Sequence, residues 1–297
     1  MNMNDIIARE NLQSNIDRLD AQRHLYIIAK RYTIASLFLC VVVPVLTSFA
    51  KVFFPGVEPL IKGAIVYSFA ALFVKQFLSS QVSSYRNLAA RIQQLFDCEL
   101  FDLSWNEPLC GKKPQPEEIH DAKTGKNLTK LNNWYEPLIE QLPHNYGVIV
   151  CMRTNVTYDQ KLRRTFSWIV DTLIVCALIF VFSIGFKQND NMWDWFLNAL
   201  VPLSPIISWF IDIWKQNTNN IESLNKLQSL IDKSLNMAIS HQEIPVSDLD
   251  RIQNFMFVHR NTSYTIPESI YNMLRKKTED AAKYSAQQIC EQIMNHA

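Results

Sequence analysis

Glycine is scarce in this chain, and recognisable metal-binding patterns are missing. Its 297 residues include only 6 glycines, and its 6 cysteines are scattered without a CxxC pair. Few glycines together with many Leu, Ile, Gln and Asn residues favour an essentially all-helical protein. Without a CxxC pair a zinc site is not expected, and the cysteines are predicted to be reduced thiols. The sequence therefore predicts no metal and no cofactor.

A strong charge of either sign is also missing. The formal net charge is +1, which excludes a strong bulk attraction to nucleic acid or to acidic lipid. No nucleic-acid partner is predicted, and any anion site must come from local clustering of basic residues. The six histidines form no HExxH or HxE pattern, and no GxSxG occurs. We therefore expect that the protein is not an enzyme.

Two pairs of hydrophobic segments dominate what is present. The first pair covers residues 33–50 and 60–78, and the second covers 166–186 and 192–214. A membrane-spanning helix needs about 20 mostly apolar residues. The second member of each pair reaches this length only if its flanking charged residues lie near the lipid headgroups. The pattern predicts a mainly α protein with a four-helix transmembrane bundle of two hairpins; a soluble protein with four buried helices is the alternative.

The two hairpins divide the chain into five segments. An N-terminal cytoplasmic helix (1–32) precedes the first transmembrane hairpin (33–78), and a cytoplasmic insert (79–165) separates it from the second (166–214). A C-terminal cytoplasmic helical segment (215–297) follows, and together with the insert it is predicted to form a helical domain. Most basic residues that flank the spans lie outside the two short turns. The positive-inside rule therefore places both termini and the insert in the cytoplasm.

The N-terminal segment is predicted to be one helix over residues 4–31 that continues into the first span. Apolar side chains follow a helical 4-3 spacing, and Arg23 occupies a core-like position between them. Arg23 is therefore expected either in a buried ion pair or in contact with a ligand. The apolar positions are Leu12, Ile16, Leu19 and Tyr26.

Other polar stretches carry helix signals of their own. Pro116 suits the first turn of a short helix, and Ser247 is predicted to cap a helix that ends near His259. The last helix is predicted to start at residues 266–268 and to end near the C-terminus. Residues 132–143 are predicted to form a short helix that ends at a proline.

Three more patterns leave their structure open. Residues 148–151 (VIVC) have the composition of a strand, although no partner strand is visible. Residues 221–238 show the 3-4 spacing of a coiled-coil seam, which fits packing within the chain or between copies. Residues 123–127 (KTGKN) superficially resemble a phosphate-binding loop, but the position of its first glycine is His120, and Asn127 replaces Ser or Thr.

Short motifs along the whole chain, in this order and spacing, resemble the SMODS-associated four-transmembrane effector family. Each motif is weak alone, and Met152 stands where the family pattern has Gln. The motifs are Asn11, Leu19, Ala21, Gln22, Arg23, Tyr26, Ala29, Lys30, residues 95–105 (LFDCELFDLSW), 130–135 (KLNNWY), 151–155 (CMRTN) and 162–164 (LRR), and finally Arg251, Gln253, Arg260, Ile266, Pro267, Tyr271 and Arg275.

The resemblance implies a role in bacterial anti-phage defence. Such proteins are thought to accompany a nucleotidyltransferase that makes a cyclic di- or oligonucleotide on infection. The messenger would open or assemble a pore in the bacterial inner membrane, and the cell would die before the phage matures. Because four helices of one chain enclose little lumen, a conducting form would be a homo-oligomer in contact with membrane lipid. A non-conducting membrane scaffold or receptor, or a membrane enzyme without a recognisable motif, are the alternatives.

A cyclic oligonucleotide would need basic side chains for its phosphates and aromatic faces for its bases. Each candidate also has a structural explanation. Arg163 and Arg164 precede a span and satisfy the positive-inside rule, Arg153 could form a packing ion pair, and the aromatic residues could belong to a core. The candidate ligand-binding residues are Trp134, Tyr135, Arg153, Asn155, Arg163, Arg164, Arg260 and Arg275.

A pore would need polar groups within the spans, because ionisable side chains in lipid are costly. Asp171 and Asp212 lie near the cytoplasmic ends and could form a cation-attracting mouth, or they could simply reach headgroup water. The candidate pore-lining residues are Asp171, Thr172, Ser183, Asn198, Ser204, Ser208 and Asp212.

Overall fold

The computed structural model describes residues 4–47, 57–126, 128–188, 193 and 201–295, and within these ranges it contains helices and no β-strand. The prediction of a mainly α protein is therefore confirmed. The helices are α1 (Ile6–Glu10), α2 (Gln13–Leu37), α3 (Glu58–Leu100), α4 (Glu107–Cys110), α5 (Pro116–Ala122), α6 (His144–Gln188), α7 (Val201–Ile239), α8 (Val246–Thr262) and α9 (Glu268–Asn295), with 3-10 turns at Leu128–Lys130 and Pro137–Gln141.

Three of these helices are long enough to join a hydrophobic segment to a polar one without a break. Helices α3, α6 and α7 have 43, 45 and 39 residues. At about 1.5 Å per residue each extends over roughly 60 Å, which is about twice the hydrocarbon thickness of a bilayer. The partners within each predicted hairpin pack on each other, α2 along α3 and α6 along α7.

One continuous helix among the described residues has the length and composition of a membrane span. It covers residues Gln13–Thr47, and the mean hydropathy of its most apolar window is 1.7. Residues 51–56 of the first predicted turn (51–59) and 189–191 of the second (187–191) lie outside the described residues, as do 192 and 194–200 of the predicted fourth span.

A π-helical turn at Phe38–Val42 interrupts the helix that passes through the first predicted span. In this register the carbonyl of Leu39 would bond to the N–H of Pro44, which a proline does not have. The hydroxyl of Tyr67 on α3 donates a hydrogen bond of 2.6 Å to that carbonyl instead. The thiol of Cys40 also contacts the carbonyl oxygen of Ala71, at 3.6 Å. The two helices of the first hairpin are therefore joined by polar contacts inside an apolar segment.

The prediction of one N-terminal helix from residue 4 was wrong, because the chain breaks at Asn11 and Leu12 between α1 and α2. The side chain of Asn15 donates to the carbonyl of Arg9, which ends α1. Asn11 in turn accepts a hydrogen bond from the backbone N–H of Asn133, which is 122 residues away. Leu12 is exposed rather than part of the apolar stripe.

Several local predictions can be compared with the observed bounds. Helix α5 begins at Pro116 as predicted, and the N–H of Gln115 donates to the carboxylate of Glu118. Helix α8 is capped at Pro245, so the prediction of Ser247 as the cap was wrong. Helix α9 begins at Glu268, as predicted. Where a helix was predicted at 132–143, the structure has only a 3-10 turn at Pro137–Gln141. Single side chains of this segment, Tyr135, Ile139 and Leu142, are buried in the main core.

The main core lies between α6, α7, α8 and α9. Residues 148–152 are fully buried within α6, so a strand at VIVC is wrong. A helix that is buried on all sides shows a continuous apolar run, which sequence periodicity does not distinguish from a buried strand. The seam of α7 is also buried in this core, through Leu224, Ile231, Leu235 and Ala238. The seam therefore serves packing within the chain.

The N-terminus docks on the insert through Asn4 and Ile6. The side-chain amide of Asn4 donates to the carbonyl oxygens of Ile139 and Leu142, both at 2.8 Å, and Ile6 is fully buried. A Cβ atom on Gly147 would lie 3.0 Å from the amide nitrogen of Asn4 and 3.1 Å from side-chain carbons of Ile139 and Ile6. Glycine is therefore required here for close approach and not for its backbone conformation.

We expect Gly147→Ala to loosen the N-terminus. Overpacking of this kind costs about 1–3 kcal/mol, and the better helix propensity of alanine offsets up to about 1 kcal/mol of it. Amide hydrogen exchange of residues 4–10 should accelerate in the variant. Gly63→Ala is the control, since a Cβ there meets nothing within 4 Å. Equal exchange in Gly147→Ala and the wild type would contradict the prediction.

Candidate functional site

A cavity of about 340 Å³ lies where the polar parts of α2, α3, α6, α8 and α9 meet. Helix α2 forms one wall and continues from there into the first predicted span. Helix α6 forms another and continues into the third. The polar and aromatic lining residues are Gln22, Arg23, Tyr26, Lys30, Gln93, Phe96, Asp97, Lys130, Trp134, Tyr135, Asn155, Tyr158, Asp159, Arg163, His259, Arg260, Ser263, Tyr264, Thr265, Glu268, Tyr271 and Arg275.

The cavity brings together six of the eight ligand-binding residues that the sequence predicts. They come from four separate stretches of the chain, and the helices that carry them converge on one space. The six are Trp134, Tyr135, Asn155, Arg163, Arg260 and Arg275.

Arg153 and Arg164 do not reach this cavity. The guanidinium of Arg153 donates to the hydroxyl of Ser285 at 2.8 Å, in a separate shallow depression beside α9. Burial lowers the pKa of Arg153. Arg164 is exposed and contacts the side chain of Asn225 at 3.3 Å. Arg153 therefore has a packing role, as the alternative to ligand binding predicted, but its partner is a hydroxyl rather than the carboxylate of an ion pair.

Asn155 fixes two aromatic side chains at the cavity. Its Oδ1 accepts a hydrogen bond from the indole N–H of Trp134, and its amide donates to the hydroxyl of Tyr135, both at 3.0 Å. Trp134 stands edge-on to Tyr158, with ring centroids 5.1 Å apart. Tyr135 is almost fully buried and belongs to the main core. Trp134 is only half-buried, so it is the better of the two for contact with a ligand.

Buried carboxylates neutralise two of the lining arginines. Arg260 pairs with Asp97, which also accepts a hydrogen bond of 2.8 Å from Gln253. Arg163 pairs with Asp159 at 3.1 Å and donates to the carbonyl of Tyr264. These arginines are thus already bound to carboxylates within the chain.

Asp159 also bonds to His259, whose Nε2 lies 2.8 Å from its carboxylate. Burial alone would raise the pKa of Asp159, but the charges and hydrogen bonds of Arg163 and His259 outweigh it and hold the pKa below its usual range. Asp159 therefore stays ionised at neutral pH, and its bond to His259 links α6 to α8.

The same cluster superficially resembles a Ser-His-Asp triad, because Ser263 also contacts His259. The hydroxyl of Ser263 lies 3.1 Å from Nε2, the nitrogen that is bonded to Asp159, and 3.3 Å from Nδ1, so it is beside the ring and slightly nearer to the nitrogen that Asp159 already binds. In a nucleophilic triad the carboxylate and the hydroxyl bind opposite nitrogens of the ring. The geometry is that of a structural hydrogen-bond network.

Arg23 is the exception among the lining arginines. Its half-buried side chain forms no hydrogen bond or ion pair with any residue that the structure describes. The neighbouring Gln22 has a buried side-chain oxygen that also lacks a partner in the described part of the chain. The sequence predicted that Arg23 forms either a buried ion pair or a contact with a ligand. Among the described residues Arg23 forms no ion pair, which leaves the contact with a ligand.

Two tyrosines of the cavity, Tyr26 and Tyr264, stay protonated. Burial raises the pKa of Tyr26 and of Tyr264 to about 12 each. Neither adds negative charge near neutral pH, so both offer a neutral ring and a hydroxyl donor. The cavity thus combines an unpaired cation with uncharged aromatic surfaces.

The phosphate-loop-like segment binds a carboxylate of its own chain. The backbone N–H groups of Thr124 and Gly125 donate to Asp20 at 2.6 and 2.7 Å, and the Thr124 hydroxyl adds a third bond. Gly125 has a φ of +67°, which brings both N–H groups to one side. The loop is therefore a clamp on α2 and is not available to an external anion.

The candidate pore-lining residues are only partly described. Asp171, Thr172, Ser204, Ser208 and Asp212 are exposed on α6 and α7, so they face outward from a single chain. The hydroxyl of Thr172 donates to the carbonyl of Trp168. The side chain of Ser183 and all of Asn198 lie outside the described residues. The structure of one chain brings none of the described members into contact with the cavity.

Sequence reasoning missed several residues of the cavity, above all Lys30, Asp159 and Glu268. A basic residue just before a span, such as Lys30, is explained by the positive-inside rule alone. A signal was present, because Arg23 and Lys30 are seven residues apart and so share one face of a helix. Glu268 carried no such signal, since it lies 238 residues from Lys30. Asp159 did carry one, because it lies four residues before Arg163 on the same helix.

A comparison with protein families matches residues 4–289 to the SMODS-associating 4TM effector domain. The chain belongs to this family. The resemblance that the sequence motifs indicated is confirmed, and a 4TM effector domain implies a membrane protein. A relative from Bacillus cereus (strain VD146), described as a probable CBASS effector molecule, is 28% identical over 285 residues, which cover 93% of this chain and 95% of the relative. No solved structure matches the chain of this SMODS-associating 4TM effector.

Proposed function

We propose that this SMODS-associating 4TM effector forms or gates an inner-membrane pore when a cyclic di- or oligonucleotide binds in the cavity. Its action would be part of an abortive-infection response to phage. The observation that carries the proposal is Arg23, which has no partner among the described residues and lies among aromatic side chains, on a helix that runs directly into a predicted span. The relative's description as a probable CBASS effector supports the same class of function.

The membrane arrangement is part of the proposal. Four spans in two hairpins place both termini and the insert on the cytoplasmic side, and the long helices α3, α6 and α7 connect the spans to the cavity. Asp171 and Asp212 are exposed on the surface of one chain. Exposed carboxylates near the ends of spans are costly against lipid. They fit a pore in which several copies surround a water-filled lumen.

The chemistry of the cavity suits a phosphodiester with attached bases. A guanidinium binds phosphate oxygens through two parallel hydrogen bonds. Aromatic faces such as Trp134 stack on bases of any identity. Gln22 and Asn155 add amide groups at the same surface. The other lining arginines are paired with carboxylates, and Lys130 is exposed to solvent. Among the half-buried arginines of the cavity, an anion would therefore bind first at Arg23.

A direct test uses purified protein in dye-loaded liposomes and a panel of cyclic di-AMP, cyclic di-GMP and cyclic tri-AMP. Binding is measured by isothermal titration calorimetry in detergent, and leakage is measured by dye release. We expect at least one member to bind and to release dye. Binding without release would favour a non-conducting scaffold or receptor. Neither binding nor release with any cyclic nucleotide would overturn the proposal.

We expect Arg23→Ala to weaken binding of the active nucleotide roughly 10- to 100-fold, because a hydrogen bond to a charged group is worth about 1.5–3 kcal/mol. The exposed Arg164→Ala is the matched control and should bind like the wild type. Arg153→Glu should also keep wild-type affinity, because Arg153 does not line the cavity. Equal affinities of Arg23→Ala and the wild type would remove Arg23 from the site.

A further inference from the structure

An ion pair closes one side of the cavity, between Lys30 on α2 and Glu268 on α9. The lysine Nζ lies 2.6 Å from Oε2 of Glu268, and 4.8 Å from the ring centroid of Tyr271. The two charged side chains are largely buried, with 14% and 31% exposed. The contact joins parts of the chain that are 238 residues apart. It is therefore a tertiary link and not a local surface pair.

The position of this pair couples the cavity to the membrane segment. Lys30 lies three residues before the first predicted span, on the helix that continues into it. Glu268 is the first residue of α9, where the positive end of the helix dipole favours a carboxylate. Helix α9 packs on α6, which leads to the third predicted span. The ion pair thus connects α2, just before the first predicted span, to α9, which packs on the helix that leads to the third predicted span.

Lys30 also belongs to the anion-binding face of α2. Arg23 and Lys30 are seven residues apart, which places them on one side of the helix with a separation of roughly 10 Å along its axis. Both line the cavity. Arg23 has no partner among the described residues, whereas Lys30 is already neutralised by Glu268. A ligand with two phosphates would find one cation open and the other occupied.

We propose that Glu268 takes the place of a ligand phosphodiester on Lys30, and that a bound cyclic nucleotide displaces it and releases α2 from α9. A carboxylate and a phosphodiester each carry one negative charge and accept the same hydrogen bonds from an ammonium group. The proposal rests on the proposed function of the cavity as a nucleotide site. It adds how binding is transmitted: the first hairpin is held until the internal anion is exchanged.

The test variant is Glu268→Gln, which keeps the shape of the side chain and removes its charge. Without ligand, amide hydrogen exchange of residues 24–32 and 264–272 should accelerate in detergent-solubilised protein. With the cyclic nucleotide that the wild type binds, affinity should rise about tenfold, because the ligand no longer competes with a carboxylate. Dye release should begin at a correspondingly lower concentration.

Two further variants separate this effect from a general loss of stability. Glu222→Gln removes the carboxylate of an exposed Glu–Lys pair of 2.8 Å on α7 and should match the wild type in exchange and in affinity. The charge-reversed double variant Lys30→Glu with Glu268→Lys should restore wild-type protection of both segments. The same double variant should bind the nucleotide more weakly, because the cation no longer lies on α2.

The outcomes distinguish the two proposals. Wild-type exchange in Glu268→Gln would overturn the inference whether or not a nucleotide binds. Faster exchange with unchanged affinity would also overturn it, since the phosphate would then not replace the carboxylate. Failure of the wild type to bind any cyclic nucleotide, with Glu268→Gln still exchanging faster, would overturn the proposed function alone and leave the ion pair as the element that holds α2.

Discussion

Replacing Asp159 by alanine is expected to lower the free energy of unfolding by about 3–5 kcal/mol, because it leaves the buried guanidinium of Arg163 uncompensated. Asp159 neutralises Arg163 and also accepts a hydrogen bond from His259. Arg163 has only 7% of its side chain exposed, so water does not replace the lost partner. The loss would also disconnect α6 from α8 at the floor of the cavity.

The measurement is chemical unfolding in detergent, followed by circular dichroism at 222 nm. Asp121→Ala is the matched control, because its side chain is 84% exposed and surface substitutions change stability by about 0.5 kcal/mol or less. Asp159→Asn should fall between the two, since it keeps a hydrogen-bond acceptor and loses the charge. A decrease below about 1 kcal/mol for Asp159→Ala would show that the cluster contributes little to the fold.

The second large effect is a pH dependence that originates at Glu10. This side chain is almost fully buried at the end of α1, and its Oε2 is 3.4 Å from the backbone nitrogen of Tyr135. Burial raises the pKa of Glu10 from 4.5 to about 7, and the hydrogen bond from Tyr135 and the charge of Lys283 reduce the rise. The folded protein therefore binds a proton here that the unfolded chain releases at lower pH.

The direction of the pH dependence of stability follows from this difference in pKa between the folded and the unfolded state. Because the pKa is higher in the folded state, the stabilising contribution is complete below pH 4.5 and is lost as the pH rises through about 7. The total loss is about 3 kcal/mol for a pKa difference of this size. Glu10→Gln should abolish this slope and should make the protein more stable than the wild type at pH 8.

Unfolding midpoints at pH 5, 6, 7 and 8 provide the measurement. Glu117→Gln, at an exposed position of α5, is the control and should keep the wild-type slope. Parallel pH profiles of Glu10→Gln and the wild type would contradict the assignment. A profile that flattens only in Glu10→Gln would identify this carboxyl as the titrating group.

Composition and short-range sequence signals predicted the helical class, the packing of neighbouring hydrophobic segments on each other, and the starts of α5 and α9. These features depend on residues that are close together in the chain. A proline at the first turn of α5 or before α9 acts on its own neighbours. The break at Asn11 depends instead on Asn133, 122 residues away, and no local pattern indicates such a partner. The end of α1 could therefore not be predicted from the sequence alone.

The same distinction applies to the cavity. Arginines and aromatic residues are recognisable by type, so Arg163, Arg260 and Trp134 were predicted as candidates. Whether an arginine is open to a ligand depends on the carboxylate it meets in the fold. Asp97 pairs with Arg260 across 163 residues, whereas Arg23 meets no carboxylate among the described residues. Availability is a property of the tertiary structure.

The hydrogen bond from Tyr67 to the carbonyl of Leu39 makes the first hairpin a mechanical unit. A shift of α2 along its axis by one residue, about 1.5 Å, would remove the donor from this carbonyl. In a bilayer no water replaces the lost bond. The hydroxyl of Tyr67 therefore couples the axial position of α2 to that of α3. A displacement of α2 near Lys30 would break this hydrogen bond unless α3 moved with it.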